Sequence, residues 1–130
     1  MMRSPQLEDC LQSPHLWFDK SASSLSSADM ENAGQHLKAA KEQKEPIEQW
    51  NSAYKSMYNS SLALLHSIRY RVSGFRCLVT ALADYFVKKG MLDRAHVENM
   101  VRAQKFEGKP DENVAAAEAF FAAAKQILKL

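Results

Sequence analysis

From Ser27 to the C-terminus, apolar residues recur at spacings of three and four, and Gly and Pro cut that pattern into five segments. Ser27 or Asp29 caps a first helix running to about Glu45, with Ala28, Ala33, Leu37, Ala40 and Lys41 along a weakly apolar stripe. Pro46 fits the first turn of a second helix, where its missing N–H has no intrahelical partner anyway. Trp50, Tyr54, Met57, Ser61, Leu65 and Ile68 mark the main stripe of that helix, and Ala53, Tyr58 and Leu62 widen it. Such a pattern predicts a broadly buried helix of about 22 residues. After a break from Arg69 to Gly74, a third stripe comprises Phe75, Leu78, Val79, Leu82, Tyr85 and Phe86, and Gly90 stops it. A fourth helix, from Met91 to about Glu107, brings Leu92, Val97, Met100 and Val101 together before Gly108-Lys109-Pro110. Asp111 is placed to cap the fifth, whose face is Val114, Ala117, Phe121, Ala124 and Leu128, with Phe120 and Ile127 beside it. No segment alternates with strand period. The expected architecture is an all-α, up-and-down bundle of four or five helices spanning residues 28–130, strandless throughout.

Residues 1–27 follow no such pattern. Pro5, Pro14 and the serine-rich run from Ser21 to Ser27 compete with helix, so this stretch is expected to be a mobile or loosely docked N-terminal arm. Trp17 and Phe18 interrupt it as two adjacent large aromatics, serving either as an anchor onto the domain or as a partner contact. At 130 residues the chain has room for one domain core. It holds no run of eighteen apolar residues and no signal-peptide pattern near its start, which predicts a cytoplasmic protein away from membranes. Cys10 and Cys77 are too few for a disulfide scaffold and lack zinc spacing, and Cys77 reads as an inert, small buried hydrophobe. No metal or cofactor is expected.

The net charge of +2 demands no polyanionic partner by itself, but its distribution is uneven. Between Arg69 and Lys109 nine basic residues stand against four acids, an excess of +5 that leaves −3 for the remainder. Arg69, Arg71 and Arg76 bracket one interhelical turn and are candidate phosphate ligands, as are Arg102 and Lys105 on the fourth helix. His66 and His96 suit proton transfer by type but lie on different helices, and neither has a second ligand at metal spacing. Ser60 and Ser61 lack a nucleophile-elbow glycine pattern, and Gly74 alone makes no phosphate loop.

The run Trp50-x-x-Ala53-Tyr54-x-x-Met57-Tyr58-x-x-Ser61-Leu62-Ala63-Leu64-Leu65, followed by Arg69-Tyr70-Arg71-Val72-Ser73-Gly74, resembles the core of the HEPN (higher eukaryotes and prokaryotes nucleotide-binding) domain. Arg102-x-x-Lys105-Phe106-Glu107 and the stretch from Asn113 through Phe120 and Phe121 are similar to that family's last two helices. The resemblance covers residues 28–130. It implies a compact helical bundle that commonly forms a homodimer, with members that are metal-independent endoribonucleases and others that bind RNA, nucleotides or a partner nucleotidyltransferase. The nuclease members place a histidine after an arginine with four to six residues between them, and here no arginine has a histidine five to seven positions downstream. Phe106 stands where a His or Tyr would be sought after Arg102, and Phe75 follows Gly74 where relatives often have His. A phenyl ring neither donates nor accepts a proton. The expected function is therefore a non-catalytic HEPN-like binding or interaction module, RNA- or nucleotide-binding or paired with a nucleotidyltransferase. A divergent endoribonuclease of toxin–antitoxin type, with Arg102 as its phosphate clamp, is the enzymatic alternative.

Overall fold

A computed structural model describes residues 3–13 and 15–130, so Met1, Met2 and Pro14 of the N-terminal stretch lie outside the described residues. The elements are α1 (Pro5–Gln12), β1 (Leu16–Phe18), a 3-10 segment (Lys20–Leu25), α2 (Ser26–Glu42), α3 (Pro46–Ser67), β2 (Tyr70–Val72), α4 (Phe75–Leu82), α5 (Arg94–Gln104) and α6 (Pro110–Leu128). A π-helical turn, Ala83–Val87, extends α4, and the Lys88 N–H reaches back five residues to the Ala83 carbonyl.

The core is helical, with α3 at its centre in contact with α2, α4, α5 and α6. Pro46 opens α3 as expected and holds the preceding Glu45 extended, which ends α2 at Glu42, three residues earlier than predicted. Met57, Leu64 and Leu65 are fully buried, and so are Ser56, Ser60 and Ser61. Small side chains along α3 let α2 approach closely. The Ser56 hydroxyl donates to the Ala33 carbonyl and the Ser26 hydroxyl to the Ala63 carbonyl, each at 2.8 Å. On α2 the buried stripe is Met30, Ala33, Leu37 and Ala40, while Ala28 and Lys41 of the predicted stripe face water. Gly34 leaves room for α6, since a Cβ there would come within 3.3 Å of the Phe121 ring.

Four expectations are corrected. The body is not strandless: β2 pairs antiparallel with β1 in the register Leu16↔Val72, Trp17↔Arg71 and Phe18↔Tyr70. Three residues per strand are too few to show a period of two, and the pairing joins distant parts of the chain. The N-terminal stretch, expected to be mobile or loosely docked, folds onto the body and sends Leu7, Cys10, Leu16 and Ala22 into the core. Ser4 caps its helix by accepting the Leu7 N–H at 3.0 Å, and Pro5 occupies the first turn. Cys10 and Cys77 are not separate thiols but form a disulfide joining α1 to α4. At the other end of the chain Asp111 sits inside the first turn of α6 rather than at its cap, which is Lys109. Among the described residues no helix is long and apolar enough to cross a membrane.

The disulfide spans 67 residues, for which loop-closure entropy gives a stabilisation of about 4 kcal/mol. Urea unfolding with and without reductant should show that loss as a lowered midpoint. The double substitution Cys10→Ser with Cys77→Ser should reproduce it without reductant.

Candidate functional site

The five basic candidates fall into two groups. Arg69, Arg71 and Arg76 surround the ribbon and the start of α4. Arg69 follows α3 in the left-handed region (φ 69°), and its carbonyl accepts the Asp19 N–H at 2.8 Å. Arg71 lies mid-strand in β2, its Nη1 3.7 Å from Asp19 Oδ2. Arg76, in the first turn of α4, places Nη2 3.2 Å from Asp9 Oδ2. Two of these three arginines are thus answered by carboxylates of the N-terminal stretch. Both pairs are exposed, so each is weakly held and open to competition from another anion. The Asp19 carboxyl is held below the usual carboxylate range, chiefly by the Ser21 hydroxyl and N–H and to a smaller degree by Arg71. A shallow depression of about 180 Å³ beside Arg76 is lined by His15, Ser73, Gly74 and Phe75.

Arg102 and Lys105 make the second group, at the C-terminal end of α5. Both are exposed, and neither forms an ion pair among the described residues. Arg102 stands between two concavities. One, about 370 Å³, is a groove between α4 with its π turn and α5, walled by Val79, Val87, Val97 and Val101 and edged by Arg94, Glu98 and Arg102. The other, about 270 Å³, lies at the start of α6 and is polar, with Asn99, Arg102, Gly108, Glu112 and Asn113 on its walls. Asn113 is 5% exposed, and its Nδ2 has no hydrogen-bond partner. No side chain caps α6, which opens on Pro110, and the Asn113 N–H donates to the Lys109 carbonyl at 3.0 Å. Gly108, at φ 89°, makes the turn between α5 and α6, and a Cβ there would lie 3.7 Å from both Arg102 Nη2 and Asn113 Oδ1. Arg102 therefore supplies positive charge to these walls, Asn113 presents its Oδ1 towards Gly108, and Glu112 opposes full negative charge.

Proton-transfer chemistry finds less here. The His66 ring donates from Nδ1 to Asp29 Oδ2 at 2.5 Å, in a largely buried pair bridging α3 and α2. His96 packs against the Phe120 ring at 5.6 Å. Neither meets the other, and neither lines the Arg102 concavities. Burial, with a smaller contribution from the Lys55 charge, lowers the pKa of His36. Tyr54 and Tyr58 are packing rings, their centroids 6.1 Å apart, and burial raises the Tyr54 phenol above its ordinary range. Among the described residues no group of three or more His, Cys, Asp or Glu side chains could hold a metal ion.

Two features escaped sequence reading. Asn113 stood only within a segment similar to a family, and nothing in its spacing signals an orphaned amide. Trp17 and Phe18 stand out in the sequence, but it is Leu16 that anchors β1, while Trp17 remains 41% and Phe18 59% exposed. Comparison with known proteins returns no match, whether among family models, curated proteins or solved structures.

Asp29→Ala leaves the buried His66 ring without its acceptor, and thermal unfolding should record a loss of about 2 kcal/mol. A loss under about 0.5 kcal/mol would show that the pair contributes little to stability.

Proposed function

We propose that this chain is a non-catalytic binding module whose ligand carries phosphate, an RNA or a nucleotide, with Arg102 as a principal contact. The observation carrying this reading is that Arg102, exposed and free of any ion pair among the described residues, borders a concavity of about 270 Å³ that Asn99 and Asn113 also line. A guanidinium that no protein carboxylate answers is open to phosphate oxygens. Lys105, on the same end of α5, adds charge.

The HEPN likeness belongs to this proposal with less weight than the sequence lent it, because a strandless body was part of that reading and β2 interrupts it. What supports it is the buried helix α3 and the position of Arg102. The homodimer and the partner nucleotidyltransferase belong to the same proposal, and sedimentation at micromolar concentration tests the first. The cytoplasmic setting does too. Disulfides persist mainly in oxidising compartments, so a Cys10–Cys77 pair found oxidised in freshly alkylated cell lysate would overturn that setting.

Filter retention of a short RNA across a salt series tests the central claim. Binding should weaken linearly in the logarithm of salt concentration as counterions are released. Arg102→Ala should weaken it by roughly 10-fold, the effect of about 1.4 kcal/mol. Absence of retention at any salt would leave a helical adaptor without nucleic-acid contact. Cleavage of RNA in chelator, lost in Arg102→Ala, would instead establish the divergent nuclease.

A further inference from the structure

The ribbon carries chemistry that the Arg102 locus does not use. β1 exposes two adjacent aromatic rings, Trp17 and Phe18, and among the described residues has no strand partner other than β2. Their cross-strand neighbours are Arg71 and Tyr70 respectively. Side chains alternate along a strand, so Trp17 and Arg71 share one face while Phe18 and Tyr70 share the other. Phe18 meets Tyr70 edge-on at 5.8 Å, and Tyr70 stacks on Tyr85 at 5.0 Å. Tyr70 and Phe18 are thereby braced from behind, a preorganised platform rather than two loose rings.

The charge around this platform is positive. Arg69 and Arg71 flank Tyr70, Lys20 lies just beyond β1, and the Lys89 ammonium sits 6.0 Å from the centre of the Tyr85 ring. Asp19 is the acid adjoining it, engaged at 3.7 Å with an Arg71 that remains exposed. Positive charge beside exposed rings is complementary to a polyanion that carries flat apolar faces. Rings take bases and cations take phosphates, and a flexible strand wrapping the outer edge of β1 meets Phe18 on one face and Trp17 beside the Arg71 guanidinium on the other. A duplex keeps its base faces stacked inside and offers none to these rings.

We infer that the β1–β2 ribbon is a binding platform for single-stranded nucleic acid, stacking bases on Trp17 and Phe18 and holding phosphates with Arg69 and Arg71. The inference rests on the proposed reading for the class of ligand but uses a separate surface. RNA and DNA share the stacking chemistry, so both are used as probes.

The two tryptophans of the chain separate the surfaces. Trp17 reports the ribbon, and Trp50 reports the Arg102 end, because its indole N–H donates to the Ala103 carbonyl at 3.0 Å. Trp50→Phe and Trp17→Phe are titrated with oligouridylate and oligothymidylate and read by tryptophan emission. The inference expects both probes to quench Trp17. Phe18→Ala and Arg71→Ala should each weaken binding by roughly 10-fold, Phe18→Tyr should restore it, and the annealed duplex should bind more weakly than either strand. These side chains are exposed, and an unchanged far-UV melt confirms folding of each variant. Quenching of Trp50 with Trp17 silent would overturn the platform while keeping the phosphate-ligand reading. No binding of any probe would overturn both, and equal affinity for duplex would remove the stacking mode.

Discussion

A helix enclosed by its neighbours must be narrow where they touch it, and the hydroxyls it buries cost stability unless they find acceptors, as Ser56 and Ser61 of α3 do and Ser60 does not. That constraint shapes α3. Leu64, Leu65 and Met57 supply apolar volume, while Ala53, Ser56, Ser60 and Ala63 keep other parts of the surface slim enough for α2 to come close. Hydroxyls from the two helices then reach across to backbone carbonyls, fixing their relative register as well as their distance. Met57 to Ala, by contrast, would leave a cavity in the centre, a change that usually costs about 2–5 kcal/mol. Every other long helix takes its position from this one, and so does the placement of Arg102 at the end of α5.

The N-terminal stretch completes the body rather than hanging from it. Leu7 and Leu16 enter the core, a disulfide fastens α1 to α4, and β1 adds itself to the turn after α3. The same docking brings Asp9 and Asp19 to Arg76 and Arg71, so the positive turn legible in the sequence is partly answered once folded. Burial next to Tyr70 also raises the Tyr85 phenol, which stays neutral well into the alkaline range and keeps the stack behind the ribbon uncharged.

The two basic groups consequently differ in character. Around the ribbon, arginines are shared between exposed carboxylates and solvent, and aromatic rings lie beside them. At the end of α5, Arg102 and Lys105 have no such partners among the described residues, and Arg102 borders a pocket at the start of α6. The histidines take no part in either group. His66 is committed to Asp29 and His96 to the face of Phe120, which leaves stabilisation of negative charge as the chemistry on offer at Arg102.

Helical periodicity alone disclosed α3, its opening at Pro46 and the breaks at Gly74 and Gly90, because a buried face must recur every three to four residues whatever it packs against. It also disclosed that positive charge gathers between Arg69 and Lys109. Other features have no local signature. Three-residue strands carry too little pattern to be seen, and the meeting of Cys10 with Cys77 depends on how α1 crosses α4. The isolation of the Asn113 amide depends on which groups surround it after the chain has closed. Periodicity is a property of one segment, whereas pairing, counter-charge and unmet hydrogen bonds are properties of two segments brought together, and only the tertiary structure decided those.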